Sequence, residues 1–146
     1  MAERTALTIL IELAQRSTDE ATKRLGKAFK AQAEAEQKLA MLEGYRDDYA
    51  LRFEQAQAAG ITPPMYFNFL GFMGKLDSAI KGQKDVIKHA QQRCAVEKTA
   101  WQACERKRLS YQTLDARAAR AALALENKRD QKLMDEHAAR QAYYKR

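Results

Sequence analysis

Positions seven apart in the first half of the chain read Leu7, Ala14, Ala21, Ala28, Ala35, Leu42, Tyr49 and Ala56, apolar or amphipathic at every step. Four residues on, a second series reads Ile11, Thr18, Leu25, Gln32, Leu39, Arg46 and Phe53, large apolar residues alternating with polar ones. This is a heptad pattern, the signature of a helix that packs along one seam against another helix. The second half repeats it: Met73, Ile80, Ile87, Cys94 and Trp101 form one series, and Leu76, Ala90, Cys104, Tyr111, Ala118 and Leu125 fall between them. Two matched stripes predict two long helices zipped together, an all-α antiparallel coiled-coil hairpin.

The turn is marked by the punctuation residues. The only prolines, Pro63 and Pro64, are adjacent and follow Gly60 and Thr62. Thr62 fits a helix N-cap and the prolines fit the first turn that follows it. The expected organisation over 1–146 is one hairpin, with helix one at about 3–58, a turn at about 59–63 and helix two at about 64–143. At 1.5 Å per residue the arms measure roughly 80 Å and 120 Å. If they pair outward from the turn, helix one runs out near Ala118 to Ala122. Residues from about Glu126 to Arg146 then have no partner, are charged nearly all round, and would fray alone. The seam is also thin: an Ala layer buries far less than Leu, and Gly26, Gly44, Gly71, Gly74 and Gly82 each weaken a helix by up to about 1 kcal/mol.

Composition adds little to the fold and more to the choice of partner. Ala, Glu, Lys, Arg, Gln and Leu dominate, as in a helix with charged outer faces. No stretch approaches the ~18 apolar residues of a membrane span, and Met1 to Gln15 contains acidic residues and no cleavage-like segment, so a soluble cytosolic protein is expected. The net charge is +7. Residues 1–62 contain 9 basic and 10 acidic side chains, and residues 63–146 contain 17 and 9. The second half alone is basic and favours acidic partners. Cys94 and Cys104 lie about 15 Å apart on one helix, too far for a disulfide, and both fall on the apolar seam, where a thiol acts as a small hydrophobe.

Aromatic residues crowd the turn: Tyr45, Tyr49, Phe53, Tyr66, Phe67, Phe69 and Phe72. One two-helix seam cannot bury them all. They either close the end of the hairpin or leave a partner-binding patch exposed, and Tyr45 and Phe72, off the strict seam positions, are the candidates for the exposed set. Chemistry-bearing motifs are missing. There is no glycine-rich phosphate loop, His89 and His137 lack metal-ligand spacing, and the acidic pairs Asp47–Asp48 and Asp135–Glu136 read as solvated helix faces. Arg106, Lys107 and Arg108 point in different directions around a helix, a poor match to a phosphate backbone. The sequence therefore predicts a protein-binding chain with no catalytic residues, cofactor or metal, no nucleic-acid partner, and a monomer when free.

The polar positions, which owe nothing to the heptad, carry a family resemblance. Ala6, Leu7, Leu10, Leu13 and Ala14, the run QKLAMLEGYRDDY from Gln37 to Tyr49, then Phe69, Phe72, Leu76, Ala79 and Ile80, and above all Trp101, Lys107, Leu109, Gln112 to Leu114 and ENKRDQKLMDEHAAR from Glu126 to Arg140 resemble the FliJ family of the flagellar type III export apparatus. The resemblance covers nearly the whole chain. It implies a hairpin similar to the central stalk of rotary ATPases, bound in the hexamer of the flagellar export ATPase by its joined termini, with the aromatic turn reaching the cytoplasmic domain of the membrane export gate. Carried over residue by residue, the gate-facing surface is Leu42, Tyr45, Tyr49, Phe72, Leu76 and Ala79, with Lys38 and Gln83 beside it. The ring-facing cations are Lys128, Arg129, Lys132 and Arg140. Export chaperones are a further implied partner, and the membrane is approached only through partners, at the cytoplasmic face of the inner membrane. The equivalent stalk of a virulence-type secretion system and a generic basic coiled-coil adaptor are the competing readings.

Overall fold

The structure is a computed structural model that describes residues 2–145, with side chains from Ala6 to Lys145. Arg146, the last residue of the expected unpaired segment, lies outside the described residues. Two helices account for the fold: α1 (Ala2–Ala59) and α2 (Pro63–Tyr144), packed against each other as a hairpin. Among the described residues there is no strand, and no helix is long and apolar enough to cross a membrane.

The turn follows from its sequence. Gly60 adopts φ 91°, a left-handed conformation that a side chain disfavours, so it stops α1 one residue beyond Ala59. Its N–H donates to the Gln57 carbonyl at 3.2 Å. Thr62 then caps α2: the Met65 N–H donates to its Oγ1 at 3.5 Å, and the Tyr66 N–H to its carbonyl at 3.0 Å. Pro63 occupies the first helical position, where its missing N–H has no intrahelical partner to lose.

The chain divides into two compact units. Unit 2, Asp19–Gln102, contains the turn and most of the pairing. Its seam keeps an unbroken alternation of four- and three-residue steps: Ala21, Leu25, Ala28, Gln32 and Ala35 on α1, and Leu76, Ile80, Gln83, Ile87 and Ala90 on α2, are all buried or half-buried. Three of the α1 positions are alanines exposed by 8% or less, which lets the α2 side chains reach the α1 backbone. Gln83 uses this: its Nε2 donates to the Ala35 carbonyl at 2.9 Å in the buried seam. Glu97, 6% exposed, is the other polar layer, and Arg24 and Arg93 pair with it at 3.3 Å and 3.2 Å. Trp101 Nε1 donates to Thr22 Oγ1 at 3.0 Å. These contacts cost little because each buried polar group is matched, and they distinguish one register from its neighbours.

Unit 1, Met1–Thr18 with Ala103–Arg146, continues the same alternation for a short distance. Ala14 and Thr18 are buried on α1, and Cys104, Arg108 and Tyr111 are half-buried on α2. Thr18 donates its hydroxyl back to the Ala14 carbonyl at 2.9 Å, so no donor is stranded in the seam. Arg108 places its charge against Glu105 one turn earlier, and that hydrogen bond holds the Glu105 carboxyl below its ordinary range. The expected seam positions Ala118 and Leu125 are not covered: α2 is exposed from Gln112 to Lys145 while remaining helical to Tyr144. The heptad count continues through both residues, but half-burial ends at Tyr111, earlier than the expected limit near Ala118 to Ala122.

Candidate functional site

The crowded end of unit 2 is built from alternate layers of rings. Tyr49 and Phe53 occupy α1 seam positions one turn apart, and Tyr66, Phe69 and Phe72 descend from the start of α2 to meet them. Tyr49 lies 5.1 Å from Phe69 and 4.5 Å from Phe72, and Phe53 lies 5.1 Å from Phe69 and 5.7 Å from Tyr66, all tilted. Tilted packing at these separations is the favourable geometry for aromatic pairs. Phe67 meets Tyr66 edge-on at 5.7 Å and is 68% exposed. Some rings therefore close the end of the hairpin, and others remain exposed on the surface.

The residues carried over as gate-facing differ in exposure. Tyr45 and Phe72 are 55% and 46% exposed, Ala79 is exposed, and Leu42 and Tyr49 are half-buried. Phe72 rests on Tyr49, and Tyr45 lies one helical turn from Tyr49, so the exposed rings stand on a packed base. Leu76 is 8% exposed and belongs to the seam, where it supports the surface from beneath. Gln83 is likewise committed to the Ala35 carbonyl. Arg46 and Asp77 form an exposed ion pair across the seam, and the Asp77 hydrogen bond raises the Arg46 pKa further above its ordinary value, keeping the guanidinium charged.

Val86 was missed by sequence reasoning. It is 50% exposed and follows Phe72 and Ala79 at seven-residue steps, a repeat that puts all three on one stripe of α2. Met65, 49% exposed, begins the same stripe. The signal was available in the spacing, but it flanks the seam and so is hidden by the stronger seam series.

The cations carried over as ring-facing lie in unit 1. Lys128, Arg129, Lys132 and Arg140 are all exposed and, at 100° per residue, share an arc of about 120° around α2, with Glu136 inside the same arc. They form a broad basic face.

A family described as "Flagellar FliJ protein" matches residues 3–146. The "Flagellar FliJ protein" of Escherichia coli (strain K12) is 33% identical over 145 residues, covering 99% of each chain. That of Salmonella typhi is 32% identical over 145 residues with the same coverage. A family match over residues 3–146 and relatives about one-third identical along nearly the whole chain show that the chain belongs to the flagellar FliJ protein family.

Proposed function

We propose that this chain is a non-enzymatic stalk of the flagellar type III export apparatus. It binds the export ATPase hexamer, promotes its assembly and activity, and couples it to the export gate at the cytoplasmic face of the inner membrane. It also escorts export chaperones to that apparatus. The single observation that carries the reading is that Tyr45, Phe72 and Ala79 are exposed near a packed aromatic base at the turn of a chain in this family. Exposed rings on a rigid base supply contact area at low entropic cost, as binding hot spots require.

Coupling needs no chemistry in the stalk. A two-helix element that touches subunits of a symmetric ring unequally favours different conformations in them, because a ligand shifts a conformational equilibrium by its differential affinity for the states. The basic arc of Lys128, Arg129, Lys132 and Arg140 is the part assigned to the ring. The test is titration of the full chain into the cognate export ATPase, with ATP hydrolysis and ring assembly as readouts. Stimulation that saturates near one chain per hexamer supports the stalk. Absence of both binding and stimulation leaves a coiled-coil adaptor and removes the coupling role.

A further inference from the structure

In unit 1 the apolar stripe of α2 keeps only one of the two seam series after Tyr111 and gains a neighbouring one. Of the two series that make the seam, one continues as Asp115, Ala122 and Arg129 and turns mostly polar, while the other continues from Tyr111 to Ala118 and Leu125. Leu114 and Ala121 alternate with it, so an apolar line with three- and four-residue steps runs Tyr111, Leu114, Ala118, Ala121 and Leu125. One step beyond each end of that line stands a lysine, Lys107 and Lys128. The line is uncovered: Leu114 and Leu125 are 49% and 52% exposed, and both alanines are exposed. Leu10 and Leu13 of α1, 42% and 51% exposed, widen it. With Cys104, Lys107 and Tyr111 they line a groove of about 220 Å³ within the same unit.

We infer that this face binds an amphipathic α-helix of another protein, with a short apolar stripe and carboxylates at both ends. The alternating spacing fits knobs from a helix, since only a second helix repeats side chains at the same 3.5-residue period. The lysines choose its charge. Lys107 and Lys128 stand about 31 Å apart along α2, so the complementary carboxylates lie about three heptads apart on the occupant. A second copy of this chain is disfavoured, because an antiparallel copy brings Lys107 of one chain against Lys128 of the other. Like charges juxtaposed across an interface reject that partner. The inference goes beyond the stalk reading and does not depend on it. It shares only Lys128 with the proposed ring contact, so helix and ring compete for this end of α2.

The experiment uses the full chain and two labelled synthetic helices of about 25 residues, long enough to span the two lysines. Both have Leu and Ala at the alternating positions; one ends in Glu at both termini of the stripe and the other in Lys. Fluorescence anisotropy is expected to show saturable binding of the Glu-ended helix, about tenfold tighter than the Lys-ended one, and a loss of about tenfold in Leu114→Asp or Leu125→Asp. Lys107→Glu with Lys128→Glu should reverse the preference, which separates a contact defect from a folding defect. No saturable binding, equal binding of the two helices, or a preference unmoved by charge reversal overturns the inference. A mass near two chains in sedimentation equilibrium, reduced to one by Leu125→Asp, would assign the face to self-association instead. Stimulation of the export ATPase by Leu114→Asp is expected to persist, so failure of this inference and failure of the stalk reading give different patterns.

Discussion

Phe72 and Leu76 stand one turn apart on α2, yet a truncation at each should act on a different property. Phe72 keeps 46% of its surface in solvent and rests on Tyr49, so Phe72→Ala removes exposed contact area and one aromatic pair, worth about 0.5–1.5 kcal/mol. Leu76 is 8% exposed in the seam, and Leu76→Ala should cost about 2–3 kcal/mol, the lower part of the range for buried leucine because a two-helix seam encloses it only partly. If the proposed gate contact is made here, Phe72→Ala is expected to weaken binding to the gate's cytoplasmic domain by at least about tenfold, with a smaller fall in the urea midpoint than Leu76→Ala gives. Leu76→Ala should lower the midpoint clearly, and its binding should recover at low temperature if the seam reforms. Circular dichroism and a binding titration on the same samples check both. Equal loss of stability in the two variants would make Phe72 a core residue.

At the level of the helices, the glycines separate by backbone conformation. Gly44 and Gly82 are helical and exposed, and an added Cβ at either meets nothing within 4 Å, so Gly44→Ala and Gly82→Ala should each stabilise by about 0.5–1 kcal/mol. Gly60 also has open space, but its φ of 91° strains any side chain, and Gly60→Ala should destabilise by about 1 kcal/mol. Urea denaturation with an unchanged slope is the measurement, and stabilisation at all three positions would contradict the turn geometry. The turn and the two helices were legible because Gly60, Thr62 and the paired prolines are local signals, and because alanines every seven residues outline the seam without reference to the partner. Gln83, Glu97 and Arg108 were not legible as seam residues. Their side chains are polar, and only the structure supplies the Ala35 carbonyl, the Arg24 and Arg93 guanidiniums and the Glu105 carboxylate that satisfy them. The exposure of the expected seam positions Ala118 and Leu125 was hidden for a related reason. Ala118 and Leu125 keep the heptad, and a one-dimensional repeat records which residues can pack but not whether anything lies against them. The exposed set at the turn was read more accurately, since Tyr45 and Phe72 depart from the seam positions in the sequence itself.

For the molecule as a whole, the long exposed part of α2 separates folding from function in a way that a truncation can measure. From Gln112 to Lys145 every residue is exposed, so this segment contributes almost no buried area, and its helix persists on local propensity from Ala, Leu, Lys, Arg and Glu. Removing the chain from Glu126 onward should therefore leave the unfolding free energy within about 0.5 kcal/mol of the full chain, as for changes that touch no buried feature. Helical signal should fall only in proportion to the residues removed. The same truncation deletes Lys128, Arg129, Lys132 and Arg140, and with them the charge assigned to the proposed ring contact. Stimulation of the export ATPase should drop and should become less sensitive to salt, because the lost contacts are exposed charges that mobile ions screen over about 8–10 Å. If stimulation and its salt dependence are both unaltered, the ring contact belongs to another part of the chain, and the basic arc serves solubility alone. If the stability falls as well, these residues are covered by a contact within the chain, and the exposed stripe from Leu114 to Leu125 would then be a packing surface rather than a binding one.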